Sequence, residues 1–160
     1  MRRILATLVA TLISLVVPFF IAHAAGAEIS GLPRIIDGDT VAIGEERIRL
    51  HGIDAPEQKQ TCSVGGIEWA CGRAATVALT EMIGSHLVIC KGKKRDRYKR
   101  LIGVCYAGPV NLNAGMVRKG WALAYRRYSK EYVSAEREAQ NAMLGIWRGE
   151  FVPPWDWRRK

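Results

Sequence analysis

The chain has 160 residues, 49% of them hydrophobic and 24% charged, with a formal net charge of +9. That length holds one domain and a leader, and it buries a core without cross-links. Internal repeats and a linker long enough to separate two domains are both absent from the sequence. The surplus of Lys and Arg favours a polyanionic partner, nucleic acid or an anionic surface, over an acidic or neutral one.

The leader comes first. Met1-Arg2-Arg3 is a short basic start, an apolar run follows from Ile4 to Ala22, and Ala22-His23-Ala24 offers the small residues a signal peptidase reads. We expect a signal peptide over residues 1–24, cleaved after Ala24, and a working domain over residues 25–160. An uncleaved membrane anchor is the alternative, because the apolar run approaches the length of a bilayer span. Cleavage lowers the formal charge from +9 to about +7, since Arg2 and Arg3 leave with the leader. Export to a secreted or periplasmic location follows from this reading. The four cysteines, Cys62, Cys71, Cys90 and Cys105, lie after the leader and lack zinc-finger spacing. In an exported chain they suggest disulfides. Of three possible pairings, Cys62–Cys71 would close a glycine-rich loop and Cys90–Cys105 would bridge two hairpin strands.

Strand signals follow at Arg34–Asp37, Thr40–Ile43 and 47–53, the last two joined by a turn at Gly44-Glu45-Glu46. In the third, Ile48 and Leu50 alternate with Arg47, Arg49 and His51, separating a packed face from a polar one. Gly52 suggests a bend just before Asp54, and Pro56 ends the strand. Helical spacing then places Cys71, Ala75, Ala78, Leu79 and Met82 on one face of a helix stopped by Gly84. Residues 86–91 and 100–106 read as a hairpin. Its loop is the basic run of Lys91, Lys93, Lys94, Arg95, Arg97, Lys99 and Arg100. A short helix covers residues 112–119. A last helix aligns Tyr132, Ala135, Ala139, Ala142, Met143 and Ile146 along one stripe. The pattern alone gives an α+β class.

Chemistry concentrates at Asp37-Gly38-Asp39, Arg49 and Asp54-Ala55-Pro56-Glu57, where strands hand over to loops. Carboxylates so placed suit a hard cation such as Ca²⁺, and an arginine fork suits a phosphate. A cation, a phosphate clamp and a spare glutamate are the parts of a metal-assisted phosphodiesterase. His51 and His86 lack a metal-spaced partner or a nucleophile and read as structural.

Together with Asp96-Arg97-Tyr98-Lys99-Arg100-Leu101, the stretch from Asn111 to Ala122 and the closing Glu136…Gly145-Ile146-Trp147, these motifs closely resemble the staphylococcal (thermonuclease-type) nuclease family. The resemblance runs from about Arg34 to Trp147. It implies a five-stranded Greek-key β-barrel, the OB-fold, with three helices. It also implies Ca²⁺ held by Asp39, Asp54 and the main-chain carbonyl of Ala55, with Asp37 supporting a bound water or the loop. By the same resemblance Glu57 is the general base, Arg49 and Arg100 are catalytic, and Arg97, Tyr98, Tyr125 and Tyr128 contact nucleotide. The chain departs from the family twice. Alanine stands at 55 where the family has threonine, and Lys99 replaces a common glycine. The expected protein is a monomeric Ca²⁺-dependent nuclease acting on single- and double-stranded DNA and on RNA, leaving 3′-phosphates, with no stable membrane association after cleavage. The alternatives are a non-catalytic OB-fold module that binds nucleic acid, and a secreted protein using its basic surface against anionic envelopes.

Overall fold

The structure is a computed structural model that describes residues 26–159. The expected signal peptide therefore lies outside the described residues. In chain order the elements are β1 (Ala27–Gly31), β2 (Arg34–Asp37), β3 (Thr40–Ile43), β4 (Glu46–Leu50), β5 (Ile53–Asp54), β6 (Cys62–Val64), β7 (Ile67–Trp69) and α1 (Cys71–Ile83). There follow β8 (Val88–Arg95), β9 (Leu101–Ala107), β10 (Val110–Asn111), α2 (Leu112–Arg118), β11 (Leu123–Ala124), α3 (Val133–Asn141), a 3₁₀ turn at Gly145–Arg148 and α4 (Pro154–Trp157).

One curled sheet runs β1-β8-β9-β4-β3-β2, with β10 on β9. Its pairs are antiparallel except β4 with β9. Strands β2, β3, β4, β8 and β9 are the five expected of the OB-fold. The inward face of the sheet carries Val41, Ile48, Leu50, Val88, Cys90, Leu101 and Cys105. Against it pack Ala75 and Leu79 of α1 and Leu112, Met116 and Val117 of α2. Burying each large aliphatic side chain stabilises the fold by roughly 1.5–3 kcal/mol.

Three differences from the sequence reading matter. The first is β1, which pairs with β8 from Ala27↔Gly92 to Gly31↔Val88. Its five residues alternate, with Ile29 packed against the core, but the strand is short and mostly exposed and was not read from the sequence. The second is the basic run, which is not a loop. Lys91 to Arg95 belong to β8, which pairs with β9 to Arg95 and with β1 as far as Gly92, and the connection is only residues 96–100. The third is the last helix, which ends at Asn141. Met143 takes a left-handed φ of 49° and is 68% exposed, while Ile146 is buried from the separate 3₁₀ turn. The helix count grows accordingly, from three to three longer helices plus the single turn α4.

Both disulfides join the pairs expected, Cys62–Cys71 and Cys90–Cys105. The second is possible because the register sets Cys90 directly opposite Cys105. The first ties the loop after Asp54 to the start of α1. Each bridge constrains the unfolded chain, a stabilisation of roughly 2–4 kcal/mol.

Candidate active site

A β-bulge in β2, between Ile35 and Asp37, re-aims the chain as it enters the turn to β3. The turn delivers Asp39 into the interior, where it is 3% exposed. Ten residues on, Arg49 leaves the polar face of β4 and reaches the same spot. Its Nη1 lies 2.9 Å from Asp39 Oδ1 and its Nη2 2.5 Å from Asp54 Oδ1. The chain bends at Gly52, φ 75°, as expected, and β5 then carries Asp54, which is fully buried. Strand β11 fixes β5 through the pair Leu123↔Asp54. The buried carboxylate of Glu136 in turn accepts the Ala124 N–H at 2.9 Å. Glu136, at the end of the matching motifs, is thus a structural support of the site.

The carboxylates are crowded. Asp39 Oδ1 also accepts the Thr40 hydroxyl, and its Oδ2 accepts the Ala55 N–H at 3.0 Å. Asp37 Oδ1 accepts the Asp39 N–H at 3.0 Å. Burial, with the neighbouring Asp39 charge adding to it, pushes the Asp37 carboxyl up from 3.8 to about 6. Burial also raises Asp54 above its ordinary value, outweighing the pull of its arginine partners. Burial alone would lower the Arg49 guanidinium, but the charges of Asp39 and Asp54 hold it above its usual range. Acid oxygens in excess, held against their own repulsion, are a donor set that suits a hard cation. Asp39, Asp54 and the Ala55 carbonyl fit that role chemically. Among the described residues no three His, Cys, Asp or Glu side chains form a ready metal cage. A cation here would rest on two aspartates, a main-chain oxygen and water.

Glu57 sits at the rim, about one-third exposed. Its loop is pinned from both sides. The buried Gln60 side chain accepts the Glu57 N–H at 3.2 Å, and α1 abuts the loop so closely that a Cβ at Gly72 would strike the Glu57 carbonyl. The Cys62–Cys71 bridge closes the same corner.

Arg100 stands apart from this cluster. Its Nε and Nη2 bond Asp96 Oδ2 at 2.8 and 2.7 Å, and it makes no ion pair with Asp39, Asp54 or Glu57. Asp96 Oδ1 meanwhile accepts the Tyr98 and Arg100 N–H groups, shaping the turn. That turn needs a left-handed residue at its end, and Lys99 supplies it with φ 64°. The family's glycine at this position now has a physical reason. Arg97 donates to the Tyr98 hydroxyl at 2.7 Å and lies 4.8 Å from its ring centre. Tyr98, Arg100 and Arg47 line one shallow hollow. Arg47 is a basic residue that the sequence left among the polar positions of β4.

Tyr125 and Tyr128 come together in a T-shaped pair, ring centres 4.8 Å apart. Tyr125 also stacks on Trp155, at 5.4 Å and 11°. A second shallow hollow is lined by Tyr125, Arg126, Arg127, Trp155 and Arg159. The C-terminal segment, whose place the sequence left open, therefore packs back on the barrel. It brings a residue that sequence reasoning missed. Arg158 bonds Asp54 Oδ2 at 2.7 Å and Glu57 Oε1 at 2.5 Å. Nothing in a terminal Arg-Arg-Lys signals a partner 104 residues away.

Residues 47–149 match the family described as staphylococcal nuclease homologue. The chain belongs to that family. Relatives agree over most of their length. The chain is 36% identical to "Protein ParB" of Escherichia coli, covering 88% of this chain and 85% of that protein. It is 36% identical to an uncharacterized endonuclease of E. coli O157:H7, over 84% and 88%. It is 37% identical to the micrococcal nuclease of Shigella flexneri, over 79% and 78%. Like other staphylococcal nuclease homologues, the chain is an α+β OB-fold protein. The match covers Arg49, Asp54, Glu57 and Arg100, while the Asp37–Thr40 turn and α4 fall outside it.

Proposed function

We propose that this protein is an exported, monomeric, Ca²⁺-dependent phosphodiesterase that hydrolyses DNA and RNA and leaves 3′-phosphate ends. The observation that carries the reading is Arg49 forked between two buried aspartates with Glu57 at the rim, in a chain of a nuclease family. The basic face of β8 and the 96–100 turn attracts the phosphate backbone without regard to sequence. Tyr98, Tyr125 and Tyr128 offer ring faces on which bases of any kind stack, and Arg97 adds charge beside them.

Bound by Asp39, Asp54 and the Ala55 carbonyl, Ca²⁺ would supply positive charge against a non-bridging phosphate oxygen. Glu57 takes the proton of the attacking water. Arg49 and Arg100 donate to the equatorial oxygens as negative charge builds there, Arg49 from a position already fixed by its two aspartates, which lowers the barrier. Arg100 reaches its place by sharing or leaving Asp96. The bond to the 5′ oxygen breaks and the phosphate stays on the 3′ side. Two disulfides and the leader support a secreted or periplasmic location, free of the membrane after cleavage.

The test is cleavage of single-stranded DNA by the oxidised protein, with Ca²⁺ and again with a chelator, followed by analysis of product ends. Calcium-dependent cleavage to 3′-phosphates is the expected result. Tight binding without cleavage would instead make the protein a non-catalytic OB-fold module.

A further inference from the structure

The site already holds a cation of the chain's own. Arg158 follows α4, and its guanidinium lies against both oxygens of Asp54, Nη1 at 3.1 Å from Oδ1 and Nη2 at 2.7 Å from Oδ2. The same Nη1 reaches Glu57 Oε1 at 2.5 Å. With Arg49 on Asp54 Oδ1, every carboxylate oxygen of Asp39 and Asp54 has a donor. The placement is built rather than incidental. Gln60, fully buried, donates to the Val152 carbonyl at 2.6 Å, so one side chain ties the Glu57 loop to the tail. Trp155 is stacked on Tyr125, and Phe151 packs with Trp147 against the Cys62–Cys71 corner.

We propose that Arg158 is an exchangeable counter-charge of this site: its guanidinium and a divalent cation compete for Asp54, so the C-terminal turn sets the cation concentration at which the site fills. The inference rests on the calcium reading above. Asp54 is wholly buried, and Oδ2 has Arg158 as its donor. A divalent ion on Asp54 beside that guanidinium would place like charges in contact, in surroundings that screen poorly. One of the two must leave. Arg49 is the harder to move, with 18% of its side chain exposed and two aspartates gripping it from within β4. Arg158 is 36% exposed and follows a single helical turn. It is the group that yields.

When one form excludes a ligand, apparent affinity falls by the fraction in the open form, so a tail closed about ten times in eleven weakens binding roughly tenfold. The experiment is calorimetric titration of Ca²⁺ into the oxidised protein, without nucleic acid, for wild type, Arg158→Ala, Arg158→Lys and Asp54→Asn. Arg158→Ala should bind Ca²⁺ about tenfold more tightly than wild type, with Arg158→Lys between them. In chelator Arg158→Ala should melt below wild type, because buried Asp54 loses a partner, and Ca²⁺ should raise its melting temperature by the larger increment. Equal or weaker Ca²⁺ binding by Arg158→Ala, while Asp54→Asn abolishes wild-type binding, would overturn this inference alone. Calcium binding absent from every variant, or indifferent to Asp54→Asn, would overturn the calcium reading and the inference with it.

Discussion

Two arginines expected to share one task are about equally covered, with 18% and 15% of the side chain exposed, but are held by different means. Arg49 is mostly buried, gripped by two aspartates that come from a bulged turn and from a short strand fixed by β11. Arg100 sits at the end of an exposed turn and answers to Asp96, a carboxylate of its own turn. The first is positioned by the whole barrel, the second by five consecutive residues. A site can therefore be half preorganised by tertiary structure and half by local turn chemistry, and the halves should fail differently.

The largest effect should separate them by stability. Arg49→Ala leaves two buried carboxylates with less compensation and should cost roughly 3–5 kcal/mol in chelator. Arg100→Ala removes a similarly covered pair, but Asp96 keeps the Tyr98 and residue-100 amides as partners, so the loss should be smaller, roughly 1–3 kcal/mol. Denaturant unfolding of the two variants checks this, and equal losses would erase the distinction. On turnover, Glu57→Gln should fall by at least roughly a hundredfold while calorimetric Ca²⁺ binding persists, since the variant removes only the proposed proton acceptor. Turnover near wild type would remove Glu57 from the role of base.

A smaller effect is expected from the turn. Asp96→Ala frees Arg100 and should lower kcat/KM about tenfold with little change in fold. Burial alone would raise Asp96, but its bonds from Arg100 outweigh that and hold it below the ordinary 3.8. A lowered carboxyl stabilises the folded form above its unfolded value and loses that contribution as pH falls through the folded one. The Tyr98 and Arg100 amides, both bonded to Asp96, should stay protected from hydrogen exchange at neutral pH and lose protection only in acid. Smallest of all, Lys99→Gly relieves a left-handed side chain and should raise stability by up to about 1 kcal/mol, read as a shift in denaturant midpoint.

The strand and turn signals around Asp39, Arg49 and Asp54 were legible because bends and alternation are written in short spacings. Bounds such as Arg34–Asp37 and Thr40–Ile43 agree with the structure, and the Cys90–Cys105 bridge follows once β8 and β9 fall into register. The basic run was misplaced because charge density reads as loop. Only the pairing with β9, and with β1 as far as Gly92, reveals that Lys91 to Arg95 are strand.

By itself, the sequence determined the acid, arginine and glutamate set, since each is tied to a local motif that forms by turn and strand chemistry within a few residues. Tertiary structure decided which carboxylate meets which guanidinium. The Arg49–Asp39 contact needs β3 beside β4, and Arg100 faces Asp96 rather than the cluster. Arg158 on Asp54 needs the tail folded back over 104 residues by Gln60 and Trp155. Long-range ion pairs of this kind leave no periodicity in the chain, because their partners are selected by packing rather than by spacing.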